Sequence, residues 1–214
     1  MEPDPFGRAV RDFHNGELSA PLLDRDGTET REHRIDEWYF GDYQPDEWFE
    51  SWIDGPVLDM GAGVGRDALF FQEHFETVAI EVSDHLVATM RDRGVEDPRL
   101  GDMFSLRAQF DRDRFRSAYA LGTQVQLASS MAALREFLCD LAHVTTDDGR
   151  VVLHGYAPEL SATEDVFAYR SDPAPGVAHR IFHCEYDGAV GRTLCFRLFS
   201  VDRLKEATVG TPWR

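Results

Sequence analysis

From Pro56 to Tyr156 short apolar runs alternate with stretches of helical period, and this alternation restricts the chain more than any other feature. The runs near 56–60, 77–82, 98–101, 117–122 and 150–156 read as strands, and 65–75, 84–93 and roughly 129–144 as helices. In the last helix Met131, Leu134, Phe137, Leu138 and Leu141 recur at helical spacing. Ser83 is placed to cap the middle one and Gly94 to end it. Strands separated by helices of this length build a parallel sheet covered on both faces. The spacing therefore predicts an α/β, Rossmann-like, doubly wound and mostly parallel sheet in a single domain. Ligands of such sheets lie at the carboxyl ends of the strands.

The flanks follow other patterns. Residues 1–34 mix Pro, Gly, Asp and Arg without a sustained period, and are expected to form an irregular lead-in to a domain covering 35–214. Between Thr30 and Ile53 the aromatics Trp38, Tyr39, Phe40, Tyr43, Trp48, Phe49 and Trp52 crowd together, and Pro45-Asp46-Glu47 suits a first helical turn. One or two short helices are expected there, either as an amphipathic cover over the core or as a lid over a ligand pocket. After the fifth strand, Phe182, Cys184 and Tyr186, then Leu194, Phe196 and Leu198, alternate with polar neighbours across Asp187-Gly188. This predicts a C-terminal antiparallel hairpin over 179–200, followed by a short helix at 201–207.

The balance of charge narrows the partners. With 22 basic and 39 acidic side chains in 214 residues, the net charge is −17, which opposes binding to nucleic acid or to an anionic membrane. Cys139, Cys184 and Cys195 form an odd set without CxxC spacing, and are expected as reduced, buried or half-buried thiols. His179 and His183 share a strand face but have no third ligand at suitable spacing, so no metal site is expected. No uncharged run approaches the roughly 20 residues of a membrane span, and the start shows no basic-then-apolar leader; the expectation is a soluble, cytoplasmic protein.

The chemistry concentrates in Val57-Leu58-Asp59-Met60-Gly61-Ala62-Gly63-Val64-Gly65-Arg66, a strand entering a glycine turn and then a helix. Glycines at alternate positions bring bare backbone against a ligand, while the helix that follows offers N–H groups to a negative one. A dinucleotide turn would place its third glycine where Arg66 stands. Asp59 before the turn would oppose a pyrophosphate but could receive an ammonium group, so the spacing favours a cationic, nucleoside-bearing ligand. Glu81, ending the second strand, can accept from both hydroxyls of a ribose. Asp102, after the third, can accept from an adenine amino group with Val82 and Met103 flanking the ring.

With these residues the sequence resembles the class I S-adenosylmethionine-dependent methyltransferases of small-molecule type, over about residues 35–213 and most specifically from Val57 to Phe104. The resemblance implies that the loop Gly61, Ala62, Gly63 and Gly65 cradles the methionine portion of S-adenosylmethionine. It further implies that Asp59 holds its amino end, that Glu81 binds ribose, and that Asp102 reads adenine. The Leu121-Gly122-Thr123-Gln124 segment matches the cofactor-flanking loop in place. Two features depart from the family. Phe115-Arg116-Ser117 lacks the usual aspartate before the fourth strand, and the two strands that ordinarily close the sheet are missing, so either the hairpin covers the fifth strand's edge or the chain is a shortened member.

Methyl transfer needs an in-line nucleophile held close, and at most a group to take its proton. His154 and Tyr156, at the end of the fifth strand, are candidates for the acceptor side; Tyr39, Tyr43 and Gln124 are weaker candidates for the pocket rim. Arg66 and Asp67 are expected to pair with each other at the helix start or, as the less favoured alternative, to touch the methionine carboxylate. The expected function is methyl transfer to a small-molecule acceptor. A non-catalytic S-adenosylmethionine-binding sensor or partner subunit, or an NAD-dependent oxidoreductase, remain alternatives.

Overall fold

The computed structural model describes residues 3–213. Its centre is a five-stranded sheet in the order β5-β4-β3-β6-β7, built from β3 (Val57–Met60), β4 (Thr77–Glu81), β5 (Pro98–Leu100), β6 (Phe115–Ala120) and β7 (Thr145–Leu153). Every pairing in it is parallel. The crossovers carry α4 (Arg66–Phe71), α5 (Asp84–Arg93) and α6 (Met131–Val144). β3 and β4 are buried at every position, as strands covered on both faces must be. Ser83 accepts from Leu86 N–H at the start of α5, and Gly94 ends that helix in the left-handed region, as the sequence predicts.

Alternate faces of the sheet bury separate clusters. Leu58, Met60, Val78 and Ile80 pack with Phe137, Leu138 and Leu141 of α6 and with α7 (Val201–Thr208). The opposite side packs Val57 and Tyr119 with Phe71 and with Phe49 of α3 (Glu47–Glu50). Phe49 stands edge-on to Phe71 and Tyr119 at 5.5 and 5.4 Å, so the 38–53 segment does supply an apolar cover. Its other short helix, α2 (Ile35–Tyr39), behaves differently and belongs to the site.

The remaining strands form an antiparallel layer. β9 (Val177–Tyr186) pairs with β1 (Leu23–Asp26), β8 (Tyr169–Ser171), β10 (Ala189–Val190) and β11 (Leu194–Phe199), and β1 pairs in turn with β2 (Glu29–Glu32). The predicted hairpin is therefore present, turning at Asp187 and Gly188 with φ of 47° and 74°. It does not cover the edge of β7; it pairs only within its own layer, and the parallel sheet stops at β7. β9 and β11 pair with one another over six residue pairs.

Residues 5–32 correct the expectation of an irregular lead-in. α1 (Pro5–Asn15) begins with Asp4 accepting from Gly7 N–H, has proline in its first turn, and ends at Gly16 with φ 73°. It buries the small residues Gly7, Ala9 and Val10. β1 and β2 then complete the antiparallel layer. Cys139 is half-buried and Cys184 buried, but Cys195 is exposed, contrary to expectation, because it faces outward on β11. Among the described residues no helix is long and apolar enough to cross a membrane.

Candidate cofactor and acceptor site

Gly61, Gly63 and Gly65 all adopt left-handed backbone, with φ of 70°, 58° and 76°. Their roles differ. A Cβ on Gly65 would lie 2.5 Å from Val95 Cγ2, so this glycine lets α4 settle against the chain after α5. A Cβ on Gly61 would lie 2.7 Å from Gln124 Cγ, and one on Gly63 would lie 3.4 Å from Tyr39 Cδ1. The turn's own amides are spent inside the protein. Gly61 and Ala62 donate to Ile80 O at 3.0 and 3.1 Å, Gly65 to Ala62 O at 2.9 Å, and Gly63 to Glu81 Oε2 at 3.2 Å. What the turn offers outward is bare Cα surface bordered by Gln124 and Tyr39.

Two buried carboxyls flank it. Glu81, 8% exposed, accepts from Val82 N–H at 2.7 Å through its other oxygen. Burial raises its pKa, and the Val82, Gly63 and Ser83 amides oppose the rise. Asp59, 4% exposed, lies beside Ala79 and Tyr119 in the parallel register. Burial holds its pKa well above the carboxylate range, with the charges of Asp67 and Glu81 adding to the shift. The Tyr119 hydroxyl is near enough to oppose that shift, yet it makes no hydrogen bond of good geometry and remains a buried, unpartnered polar atom. Arg66 and Asp67 pair at 3.3 Å, as expected.

The chain matches no protein-family model and no curated protein sequence. Its fold does have solved counterparts. A methyltransferase from Bacteroides fragilis, solved in complex with S-adenosyl-L-homocysteine, superposes with a TM-score of 0.75 at 21% identity, over 97% of this chain and 85% of that one. The class I methyltransferase fold is this chain's fold. The sugar N-methyltransferase KedS8 from Streptoalloteichus matches with a TM-score of 0.53 at 16% identity, over 72% of this chain and 70% of that one. DesVI of Streptomyces venezuelae matches with a TM-score of 0.51 at 18% identity, over 72% and 73%.

Within this methyltransferase fold the other expected residues scatter more. Val82 is exposed at the end of β4. Asp102 is exposed and caps the short 3-10 helix Met103–Ala108 by accepting from Phe104 N–H at 2.9 Å, whereas Met103 is buried in the core. Gly122 is exposed, and Leu121 turns away to the cluster around Phe49 and Tyr119, leaving Gln124 as the residue of that loop that reaches the glycine turn. His154 lies just beyond β7 with an exposed side chain. Tyr156 is half-buried and packs against the antiparallel layer. His183 hydrogen-bonds Glu185 at 3.1 Å, and His179 lies 3.6 Å from Asp172.

One group was not foreseen. His33 Nδ1 lies 3.0 Å from Asp24 Oδ1, and its Nε2 lies 3.2 Å from the Tyr39 hydroxyl. A carboxylate can only accept, so Nδ1 carries the proton and Nε2 accepts from tyrosine. Asp24 is buried opposite Cys184, whose thiol donates to it at 3.5 Å. Burial raises the pKa of Tyr39, and the neighbouring Cys184, Asp24 and Glu81 push it further. The hydrogen-bonded series Asp24, His33, Tyr39 thus runs from the antiparallel layer to the glycine turn. The sequence signal for it was faint: a single acid at the one inward position of a four-residue strand.

Proposed function

We propose that the protein transfers a methyl group from S-adenosylmethionine to a small-molecule acceptor. Glu81 carries the reading: a carboxylate buried at the carboxyl end of β4 and anchored by two amides has lone pairs left for the two hydroxyls of a ribose. The surrounding residues fit the rest of the molecule. Asp59 and the unpartnered Tyr119 hydroxyl are acceptors for an ammonium group, and the absence of side chains at Gly61 and Gly63 lets Gln124 and Tyr39 close against the turn. Asp59, buried just before the turn, would oppose a pyrophosphate, which speaks against the NAD reading.

S-adenosylmethionine supplies a methyl group on a sulfonium centre, so the protein's task is orientation and proton removal. Tyr39, lying against Gly63, receives the acceptor's proton as its own passes to Nε2 of His33. Asp24 holds the imidazole in the required tautomer and stabilises its charged form. This series takes the part that sequence reasoning gave to His154 and Tyr156. Gln124 and Tyr39 also wall the turn from water.

The test is incubation with methyl-labelled S-adenosylmethionine and the small-molecule fraction of a cell extract. Label appearing in a metabolite supports the reading. Cofactor uptake without transfer to any fraction would leave a binding protein in place of an enzyme.

A further inference from the structure

Alternate residues of β9 face the inside of the antiparallel layer. Ala178, Phe182, Cys184 and Tyr186 are buried there, and Arg180 takes the remaining position in the row. Its guanidinium carbon lies 5.5 Å from the ring centroid of Tyr156, 5.1 Å from Phe182 and 5.6 Å from Phe196. Nε donates to Phe167 O at 3.0 Å. Among the described residues no acidic side chain pairs with it; Asp24 reaches it only through space. The contrast within the same layer is Arg25, which holds Glu185 at 2.7 Å. In a chain with 39 acids against 22 bases, Arg180 thus stands in an apolar row without a carboxylate.

Arg180 is half-buried, so its guanidinium bears part of the cost of leaving water, and the rings offset part of that. The two terminal nitrogens of Arg180 form a planar fork suited to a two-point contact with a carboxylate. The position is also informative. Tyr156 follows β7 at the carboxyl side of the parallel sheet, and it shares one cluster with Tyr39 and Phe182. A single negative charge is the anion least opposed by a net charge of −17.

We infer that Arg180 binds the carboxylate of the methyl acceptor, whose apolar body lies along the half-buried Tyr156. The inference rests on the methyltransferase reading and narrows its substrate class to small carboxylic acids with an aromatic or apolar body.

Calorimetry on the full chain tests it. S-adenosylhomocysteine is titrated first, then benzoate, 4-hydroxybenzoate and anthranilate into the loaded protein, each beside its uncharged amide. At least one acid is expected to bind, its amide about tenfold or more weaker, the scale for one charged hydrogen-bond contact. Arg180→Gln should lose that binding to the same extent while taking up S-adenosylhomocysteine as before. If that variant melts early, Arg180→Lys substitutes for it, and its ammonium, lacking the fork, is expected to weaken the acid as well. No binding by any of the acids, equal binding of acid and amide, or an unchanged affinity in the variants overturns the inference. Failure of the first titration would instead overturn the methyltransferase reading beneath it.

Discussion

The two layers of the molecule are built in opposite ways. In the parallel sheet helical crossovers return the chain from strand to strand, and the buried acids Asp59 and Glu81 stand on adjacent strands, β3 and β4. In the antiparallel layer the chain's two ends meet: Asp24 pairs with Cys184, and the Arg8 guanidinium reaches Asp187. The first layer holds the buried carboxyls of the glycine turn. The second brings His33 against Tyr39, which lies at the same turn, and sets Arg180 against Tyr156. The difference suggests a division of labour, with cofactor recognition in the locally wound part and acceptor chemistry in the part closed by long-range contacts.

The division can be broken or sharpened by four variants. Leu198→Ala removes a fully buried side chain from the inner face of β11, in the cluster that also contains Val64 and Leu86 of the parallel layer. A loss of about 2–5 kcal/mol is expected. A single melting transition by circular dichroism would show the layers to be one cooperative unit, and two transitions would separate them. His33→Asn should reduce turnover by roughly a hundredfold or more while leaving S-adenosylhomocysteine affinity intact; a loss of cofactor affinity would place His33 on the wrong side of the division. Glu81→Ala should do the reverse, weakening cofactor binding by about 1–3 kcal/mol by calorimetry.

Asp59→Asn gives the smallest effect and the most specific one. The folded pKa of Asp59 is raised, so between the unfolded value, near 4, and the folded one the unfolded chain binds fewer protons than the native state. Stability is therefore lost as pH rises through that window, and the cost persists above it. Replacing the carboxyl with an amide should stabilise the free protein on the order of 1 kcal/mol at pH 7 and by almost nothing near pH 3, while weakening cofactor binding. An equal gain at both pH values would show that ionisation is not the source of the cost.

How much could be read in the sequence follows the same line. Ser83 and Gly94 act on helix ends within a few residues, and both were legible. So were the glycine turn and Glu81, because a strand entering a turn is a local pattern. Helix α1 carried local signals of its own, Asp4, Pro5 and Gly16, and an apolar stripe of Phe6, Val10 and Phe13, which the charged and polar residues between them masked. β2 could not be seen at all, since Glu29–Glu32 is exposed at every position and is a strand only because β1 pairs with it. His33 and Arg180 acquire meaning from partners in other elements, Tyr39 and Tyr156, which no spacing along the chain announces.

On the proposed function, the glycine turn and the buried Glu81 beside it hold a sulfur nucleoside. Calorimetric titration of S-adenosylhomocysteine into the wild-type chain and into Glu81→Ala tests this most directly, with NADH as the competing ligand. One-site uptake by the wild type, at least tenfold weaker uptake by the variant and no NADH binding is the predicted result. Equal affinity in both proteins, no uptake by either, or NADH binding that depends on Glu81 would contradict it.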